Sequence, residues 1–239
     1  MSVFRGDGPP LVVGHRGAAA LARENTLEAI EAGLEHGVDA VEFDVVADGD
    51  RLVLGHSLRL LRGGEATLDD ALARLAAAGV SAHVDLKGPG GEAAVVAALR
   101  ERGMLERALV SSVDRRALRD LRTLEPRLAT GLGYPKDRYE LSERRLVEPF
   151  VPIALAALKR TIPHVLGRRL ERTGASAAVL HHALLTPGLV ERCHRRGVAV
   201  WAWTVNDRAT AARLAEAGVD AIITDDPRVV RAPAASERP

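Results

Sequence analysis

The chain has 239 residues, of which 47% are hydrophobic and 27% are charged, and its formal net charge is +1. This balance excludes a disordered chain, a coiled coil and a nucleic-acid-binding protein that works by bulk charge. The length is common for a one-domain α/β barrel, so we expect a single domain over residues 1–239 with its core at about residues 10–230.

Short apolar runs rich in β-branched residues alternate along the chain with stretches of helical period. The candidate strands end at LVVGH, AVEFDVV, AHVDL, ALVSS, LATGLG, AAVLH, VAVWAWT and AIITD. Eight βα units favour a closed TIM (β/α)8 barrel, with an open doubly wound sheet as the alternative. A further run, RLVLGH, follows Asp48-Gly49, a pair typical of tight turns. We therefore expect an extra hairpin arm after the second strand.

Residues that cap helices stand between these runs. Predicted helix starts are Asn25-Thr26, Thr67, Thr186-Pro187 and Asn206-Asp207, and predicted helix ends are Gly37, Gly79, Gly103, Gly197 and Gly218. In particular, we expect Asn25 to cap the helix that follows the first strand. The last residues, RAPAASERP, are predicted to form a flexible tail.

The long connection over residues 134–172 includes the sequence FVPIALAALKRTIPHVLGRRLER, which is first apolar and then basic. Pro152 and Pro163 are expected to break this stretch. It is interpreted either as a lid or anionic-lipid surface, or as an ordinary barrel helix with a solvated basic face, which we favour. Deleting a lid would change the substrate range more than the metal affinity.

The cellular setting is predicted from what the sequence lacks. The start MSVFRGDGPP has no apolar signal segment, and no window is long and apolar enough for a membrane span, so we expect a cytoplasmic protein without stable membrane insertion. Cys193, the single cysteine, excludes an internal disulfide and is interpreted as a packing residue.

Acidic side chains recur on one face of two neighbouring candidate strands. Glu42 and Asp44 alternate in AVEFDVV, and Asp85 occupies the equivalent place in HVDLK. Buried carboxylates repel one another unless a cation offsets them, and three oxygen donors suit Mg²⁺ or Ca²⁺ better than zinc. The alternative is that the acids pair with Arg16 and Lys87, which we otherwise expect to bind a substrate anion.

Two histidines close neighbouring runs and are candidates for proton transfer. His15 ends the first strand and His56 ends the hairpin, and imidazole titrates near neutral pH. His83 is expected to be a core histidine with its hydrogen bonds satisfied. His181 and His182, at the end of the sixth barrel strand, are interpreted as either structural or substrate-lining.

An ordered set of short motifs from about residue 11 to 227 supports a specific relationship. These are His15-Arg16-Gly17, Glu24-Asn25-Thr26, Glu42-Phe43-Asp44-Val45, Asp48-Gly49, Val53-Leu54-Gly55-His56, Asp85-Leu86-Lys87, Trp203-Thr204-Val205-Asn206 and Gly218-Val219-Asp220-Ala221-Ile222-Ile223-Thr224-Asp225. In these motifs the chain resembles the glycerophosphodiester phosphodiesterase family.

The resemblance implies a TIM barrel that hydrolyses glycerophosphodiesters to sn-glycerol 3-phosphate and an alcohol with one divalent cation, Mg²⁺ or Ca²⁺. It implies that Glu42, Asp44 and Asp85 hold the metal. It also implies that His15 and His56 act as acid and base, that Arg16 and Lys87 hold the phosphate, and that Trp203 lines the pocket. A small glycerophosphodiester is the expected partner, with neither nucleic acid nor a stable membrane contact.

Two departures from the family pattern leave the substrate open. Asp85 stands where the family usually carries glutamate, and the 28 residues between His56 and Asp85 are too few for the usual insertion. A phospholipase D-like enzyme acting on lysophospholipids is therefore an alternative, as is a non-catalytic barrel that binds a phosphorylated ligand. The preferred alcohol, the choice of metal, the assignment of acid and base, a cyclic phosphate intermediate and the oligomeric state also stay open.

Overall fold

The computed structural model describes residues 5–6, 8–135 and 151–231. The strands in this part of the chain are β1 (Leu11–Gly14), β2 (Ala40–Asp48), β3 (Arg51–Leu54), β4 (Ser81–Leu86), β5 (Ala108–Ser112), β6 (Ala129–Tyr134), β7 (Ala177–His181), β8 (Ala199–Trp203) and β9 (Ala221–Thr224). All except β3 are parallel, and pairing of β1 with both β2 and β9 closes them into a barrel. The predicted TIM barrel is thus confirmed.

The additional strand is the hairpin arm that the Asp-Gly pair predicts. β3 runs antiparallel to β2, with Asp48 opposite Arg51 and Val45 opposite Leu54. The turn between them includes Gly49, whose φ of 59° lies in the left-handed region that glycine adopts without strain. β3 brings the chain back towards the carboxyl-terminal rim of the barrel, so that the residues after Leu54 lie beside Asp44.

Helices alternate with the barrel strands. They are α1 (Leu27–Glu35), α2 (Leu68–Ala78), α3 (Glu92–Glu101), α4 (Arg115–Leu124), α5 (Val151–Thr173), α6 (Pro187–His194), α7 (Arg208–Glu216) and α8 (Pro227–Val230). Thr67 caps α2 through a reciprocal capping box with Asp70, and Thr186 and Asp207 cap α6 and α7. Over the described residues, no helix has both the length and the apolar character that a membrane span needs.

Two apolar clusters divide the interior. The larger lies between the barrel and its helices, and the smaller fills the lumen with Val13, Ala40, Leu109, Ala177, Val179, Ala199, Trp201, Ala221 and Ile223. Side chains alternate across a strand, so the residues two and four positions after Ala40 also face the lumen. These residues are Glu42 and Asp44, and the register sets Asp44 beside Asp85 on β4.

Helix α5 decides part of the interpretation of residues 134–172. Ile162, Leu166 and Leu170 are buried on one face of α5, which supports an ordinary barrel helix over residues 157–173. The expected break at Pro163 is wrong, because the helix continues through this residue, while Pro152 is the second residue of the helix. Burial of that apolar face offsets the hydrogen bond that a proline removes. Residues 136–150 and the predicted tail from residue 232 lie outside the described residues.

Candidate active site

The turn after β1 is shaped by close backbone approaches. A Cβ added to Gly14 would lie 1.9 Å from the carbonyl oxygen of Gly17, and one added to Gly17 would lie 2.5 Å from the backbone of Ala29 in α1. Neither position accepts a side chain, so the turn packs directly on α1. Between the two glycines, Arg16 adopts a left-handed φ of 48°, which is unfavourable for a residue with a Cβ. This turn brings His15 and Arg16 to the mouth of the lumen.

His15 is held by a carboxylate from the end of the last barrel strand. Its Nδ1 lies 2.6 Å from Oδ1 of Asp225, while its Nε2 is 3.9 Å from Glu42, beyond hydrogen-bonding distance. Burial lowers the pKa of His15, but Glu42 and Asp225 outweigh burial and raise the pKa above its usual value. Nδ1 therefore carries the proton that Asp225 accepts, and Nε2 is the nitrogen with no hydrogen bond among the described residues.

His56 is held in the same way from the other side. Its Nδ1 lies 3.0 Å from Oδ2 of Asp44, and the backbone N–H of Gly55 donates to the carbonyl of Asp44 at 3.0 Å. The Arg16 guanidinium also lies 3.3 Å from Nδ1 of His56, but a donor cannot share that nitrogen with the proton that Asp44 accepts. Nε2 of His56 is again free of hydrogen bonds within the described residues.

The three predicted acids meet in the lumen. Glu42, Asp44 and Asp85 each offer an oxygen, and these oxygens lie within 4.8 Å of one another. Glu42 is 4% exposed and Asp44 is 1% exposed. Burial, together with the charge of Asp44, raises the pKa of Glu42 to about 7. Asp44 differs because Lys87, His56 and Arg16 outweigh its burial and hold its pKa well below the usual range.

The alternative interpretation of these acids is correct in part. Nζ of Lys87 lies 2.8 Å from Oδ1 of Asp44 and also contacts Asp85, and Nε of Arg16 lies 3.1 Å from Oδ2 of Asp44. Burial opposes the charge on Lys87, but Asp85 and Asp44 raise its pKa nevertheless. When all three acids are ionised, these two cations leave one negative charge uncompensated. Carboxylate oxygens with excess negative charge are suitable ligands for a divalent cation.

Asn25 has a role that the sequence interpretation missed. The predicted cap is wrong, because the hydroxyl of Thr26, not Asn25, accepts the N–H of Ala29 at the start of α1. Asn25 adopts a left-handed φ of 56°. Its amide nitrogen donates to Oδ2 of Asp44 at 3.1 Å, and its amide oxygen accepts the Asp44 N–H at 2.9 Å. Asn25 therefore holds both the carboxylate and the backbone N–H of Asp44 in place.

Asp225 and its neighbour were also missed as site residues. Asn206 contacts Oδ2 of Asp225 through its side-chain nitrogen and accepts the Asp225 N–H at 3.0 Å. Both residues belong to motifs that resemble the family, but nothing in their spacing connects them to His15. The pairing follows from the closure of the barrel, which sets β9 beside β1.

A hydrogen-bonded chain supports Asp85 from below. The hydroxyl of Ser111 donates to Oδ1 of Asp85 at 2.7 Å, so Nε2 of His83, 2.9 Å from Ser111, must be the donor to that hydroxyl oxygen. Burial lowers the pKa of His83 to about 4. The expectation of a fully satisfied His83 is wrong, because its Nδ1 is buried with no partner in the part of the chain described.

Aromatic side chains occupy the opposite side of the mouth. Trp203 packs against the lumen cluster, and its indole N–H donates to the carbonyl of Val179 at 3.2 Å. His181 lies next to Trp203, with ring centroids 5.3 Å apart, and stacks on His182. Cys193 is buried far from these groups in α6, and burial raises the pKa of its thiol to about 11, which agrees with a packing role.

A cavity of about 670 Å³ adjoins His56. It is lined by the residues before and at the start of α1 and by residues 54–56 and 60–66, which flank a short 3₁₀ turn, Leu58–Leu60. Leu58 and Leu60 are 56% and 54% exposed. The 3₁₀ turn thus lies between His56 and Asp85, where the chain is too short for the insertion that is usual in the family.

Comparisons with known proteins agree with this architecture. The model of the glycerophosphoryl diester phosphodiesterase family matches residues 15–67 and 66–229. A glycerophosphodiester phosphodiesterase of Caldanaerobacter subterraneus subsp. tengcongensis is 27% identical over 92% of this chain and 96% of the relative. One from Arabidopsis thaliana is 28% identical over 92% of this chain and 71% of the relative.

Solved structures show the same fold. A phosphodiesterase of Oleispira antarctica, in complex with the product sn-glycerol-3-phosphate, superposes with a TM-score of 0.74 at 23% identity, covering 93% of this chain and 95% of that one. A glycerophosphodiester phosphodiesterase of Thermotoga maritima gives 0.68 at 20% identity, with 92% and 96% covered. Because the family model extends over most of a sequence that folds into this barrel, the chain belongs to the glycerophosphoryl diester phosphodiesterase family and is an enzyme, a phosphoric diester hydrolase.

Proposed function

We propose that the chain hydrolyses glycerophosphodiesters to sn-glycerol 3-phosphate and an alcohol, with His15 and His56 as the acid–base pair. The observation that carries the proposal is the matched arrangement of the two rings. Each ring has Nδ1 at a carboxylate, Asp225 for His15 and Asp44 for His56. Each therefore has Nε2 available to exchange a proton. The product complex of the Oleispira relative supports the choice of product.

The two histidines have complementary tasks. Hydrolysis of a phosphodiester needs one group to remove a proton from the nucleophile and another to protonate the departing alcohol. Asp225 and Asp44 each contact Nδ1 of one ring and so hold the two rings in fixed orientations. One histidine must be neutral and the other protonated at the start of the reaction, which gives a bell-shaped pH dependence.

Glu42, Asp44 and Asp85 are the residues that would hold a divalent cation, Mg²⁺ or Ca²⁺. Their closely grouped oxygens, the excess negative charge and the raised pKa of Glu42 support this assignment. When bound, the cation would supply a positive charge that stabilises negative charge on the phosphoryl oxygens.

Arg16 and Lys87 are proposed to stabilise the phosphate. Burial opposes their charges, but the pKa of Arg16 is raised by Asp44 and Glu24, and that of Lys87 by Asp85 and Asp44. Both side chains therefore stay cationic throughout the pH range in which the enzyme works. A fixed positive charge is useful where the negative charge of a phosphodiester would otherwise repel a nucleophile.

Lysophospholipid hydrolysis is a second candidate, supported by the surface beside His56. Leu60 lines the cavity there and is 54% exposed. Leu58, in the same 3₁₀ turn, is 56% exposed. Exposed leucine side chains near His56 would pack against the acyl chain of a lysophospholipid, although charged residues such as Arg23 and Glu65 also line this cavity.

The proposal is tested by incubating metal-stripped protein with glycerophosphocholine, glycerophosphoethanolamine, glycerophosphoglycerol or lysophosphatidylcholine and following the products by phosphorus NMR. Each reaction is run without metal, with Mg²⁺ and with Ca²⁺. We expect metal-dependent formation of glycerol 3-phosphate. His15→Ala and His56→Ala should each lower the rate by about 10²- to 10⁴-fold.

His36→Ala is the matched control, because His36 ends α1 at the opposite end of the barrel and its Nδ1 contacts the carbonyl of Ala32. Turnover of the lysolipid alone would favour the second candidate. Full activity in either of the two mouth variants would contradict the acid–base assignment, and metal-independent turnover would contradict the role of the acids.

A further inference from the structure

The mouth of the barrel is divided into two chemically different sides. Following the order β7, β8, β9 and β1, the residues at or just after the strand ends are His181, Trp203, Asp225 and His15. The charged groups described above come from β9, β1, β2 and β4. The carboxyl ends of β7 and β8 themselves carry the rings of His181 and Trp203, and β8 adjoins β9, the strand that precedes Asp225.

His181 faces the lumen. It lies two and four positions after Val179 and Ala177, which belong to the lumen cluster, and the sheet register sets it beside Trp203. Its side chain is only partly exposed, as expected at the rim of the lumen. A substrate that reaches His15 therefore has this pair of rings as its neighbouring wall.

The proton of the His181 ring can be located from its contacts. The backbone N–H of Ala183 donates to Nδ1 of His181 at 3.2 Å, so Nδ1 carries no hydrogen. Burial, with the neighbouring His182, lowers the pKa of His181 to about 4, so the ring is neutral at working pH. The remaining hydrogen is on Nε2, for which the described residues provide no acceptor.

Trp203 cannot serve as the polar group on this side. Its indole N–H is already donated to the carbonyl of Val179, which leaves the ring as an apolar surface. His181 is fixed against that ring at 5.3 Å and an interplanar angle of 76°, and against His182 at 4.5 Å. The wall thus consists of an apolar platform with one oriented, uncharged hydrogen-bond donor.

We propose that His181 determines specificity by donating a hydrogen bond from Nε2 to a hydroxyl group of the substrate's glycerol moiety, whose carbon chain packs on Trp203. An uncharged donor beside an aromatic ring suits a polyol, because the carbon–hydrogen face covers the ring while a hydroxyl accepts the hydrogen bond. A site with such a donor discriminates against an analogue that lacks the hydroxyl, since the donor is then left unpaired. The inference rests on the proposed function and adds a binding residue to it.

The test compares the binding of sn-glycerol 3-phosphate with that of n-propyl phosphate, which has the same phosphate group and no hydroxyls. Calorimetric titration with Mg²⁺ present measures both dissociation constants without turnover. The wild type should bind sn-glycerol 3-phosphate at least about tenfold more tightly. His181→Phe keeps an aromatic ring but removes the donor, so it should abolish this preference, whereas His181→Gln should restore part of it.

His36→Phe is the matched control, since it makes the same substitution at the far end of the barrel, and it should retain the preference. Circular dichroism checks whether each variant is folded. If His181→Phe does not fold, His181→Gln is used for the test instead. An unchanged preference in His181→Phe, or in His181→Gln where the phenylalanine variant does not fold, would overturn the inference. The same holds if the wild type shows no preference. Absence of hydrolysis in the NMR assay, with this preference intact, would count against the proposed function alone.

Discussion

Replacing Asn25 tests whether this residue holds Asp44 or merely begins a helix. The side chain makes two hydrogen bonds to Asp44, at 3.1 and 2.9 Å, and the residue is 9% exposed at a φ of 56°. Asn25→Ala leaves the buried N–H of Asp44 unpaired, removes a bond to its carboxylate and puts a Cβ in a left-handed conformation. These effects sum to about 3–5 kcal/mol of lost unfolding free energy. Asn25→Gly avoids the backbone strain and should lose about 1 kcal/mol less.

Urea unfolding followed by circular dichroism measures these differences. Thr26→Ala is the matched control, because Thr26 is the true helix cap and its loss should cost about 1 kcal/mol. If Asn25→Ala costs no more than Thr26→Ala, the inferred support of Asp44 is refuted. Equal values for the alanine and glycine variants at position 25 would refute the strain argument instead.

Three further predictions concern other groups. Asp225→Asn removes a charge that raises the pKa of His15, so NMR titration should show a lower pKa for this ring. The limb of the pH–rate profile that His15 controls should move to lower pH as well. An upward shift would contradict the pairing. Ser111→Ala frees Oδ1 of Asp85 and should weaken Mg²⁺ or Ca²⁺ binding by about 10-fold or more in calorimetry, and an unchanged affinity would contradict its positioning role. Cys193 is buried with a pKa of about 11, so a thiol reagent at neutral pH should modify it in urea but not in the native protein; rapid labelling of the native form would show that the thiol is accessible.

The barrel could be predicted because local signals and global topology agree. Short apolar runs followed by helix caps specify parallel strands, and the Asp48-Gly49 pair specifies the antiparallel return of β3. Two-residue alternation also places Glu42 and Asp44 on the same face without reference to any tertiary contact. These features depend on neighbouring residues, so the sequence pattern carries them directly.

Partners that are distant in sequence could not be predicted in this way. Asp225 is separated from His15 by 210 positions, and Ser111 is separated from Asp85 by 26. Only the closure and register of the barrel bring these groups together. Asn25 was misinterpreted for a related reason, because asparagine before a helix is most often a cap, and its backbone conformation is not visible in the sequence.

The arrangement of charge around the lumen links the fold to the proposed chemistry. A barrel mouth lined evenly with acids and cations would offer the same surroundings to both ends of a phosphodiester. Here β9, β1, β2 and β4 bring the charged residues to one side, while β7 and β8 bring His181 and Trp203 to the other. The reacting phosphate requires fixed charge, whereas a polyol requires an apolar surface with a neutral donor. If the proposed contacts hold, the order of strands in a closed sheet gives the substrate a direction as well as a place.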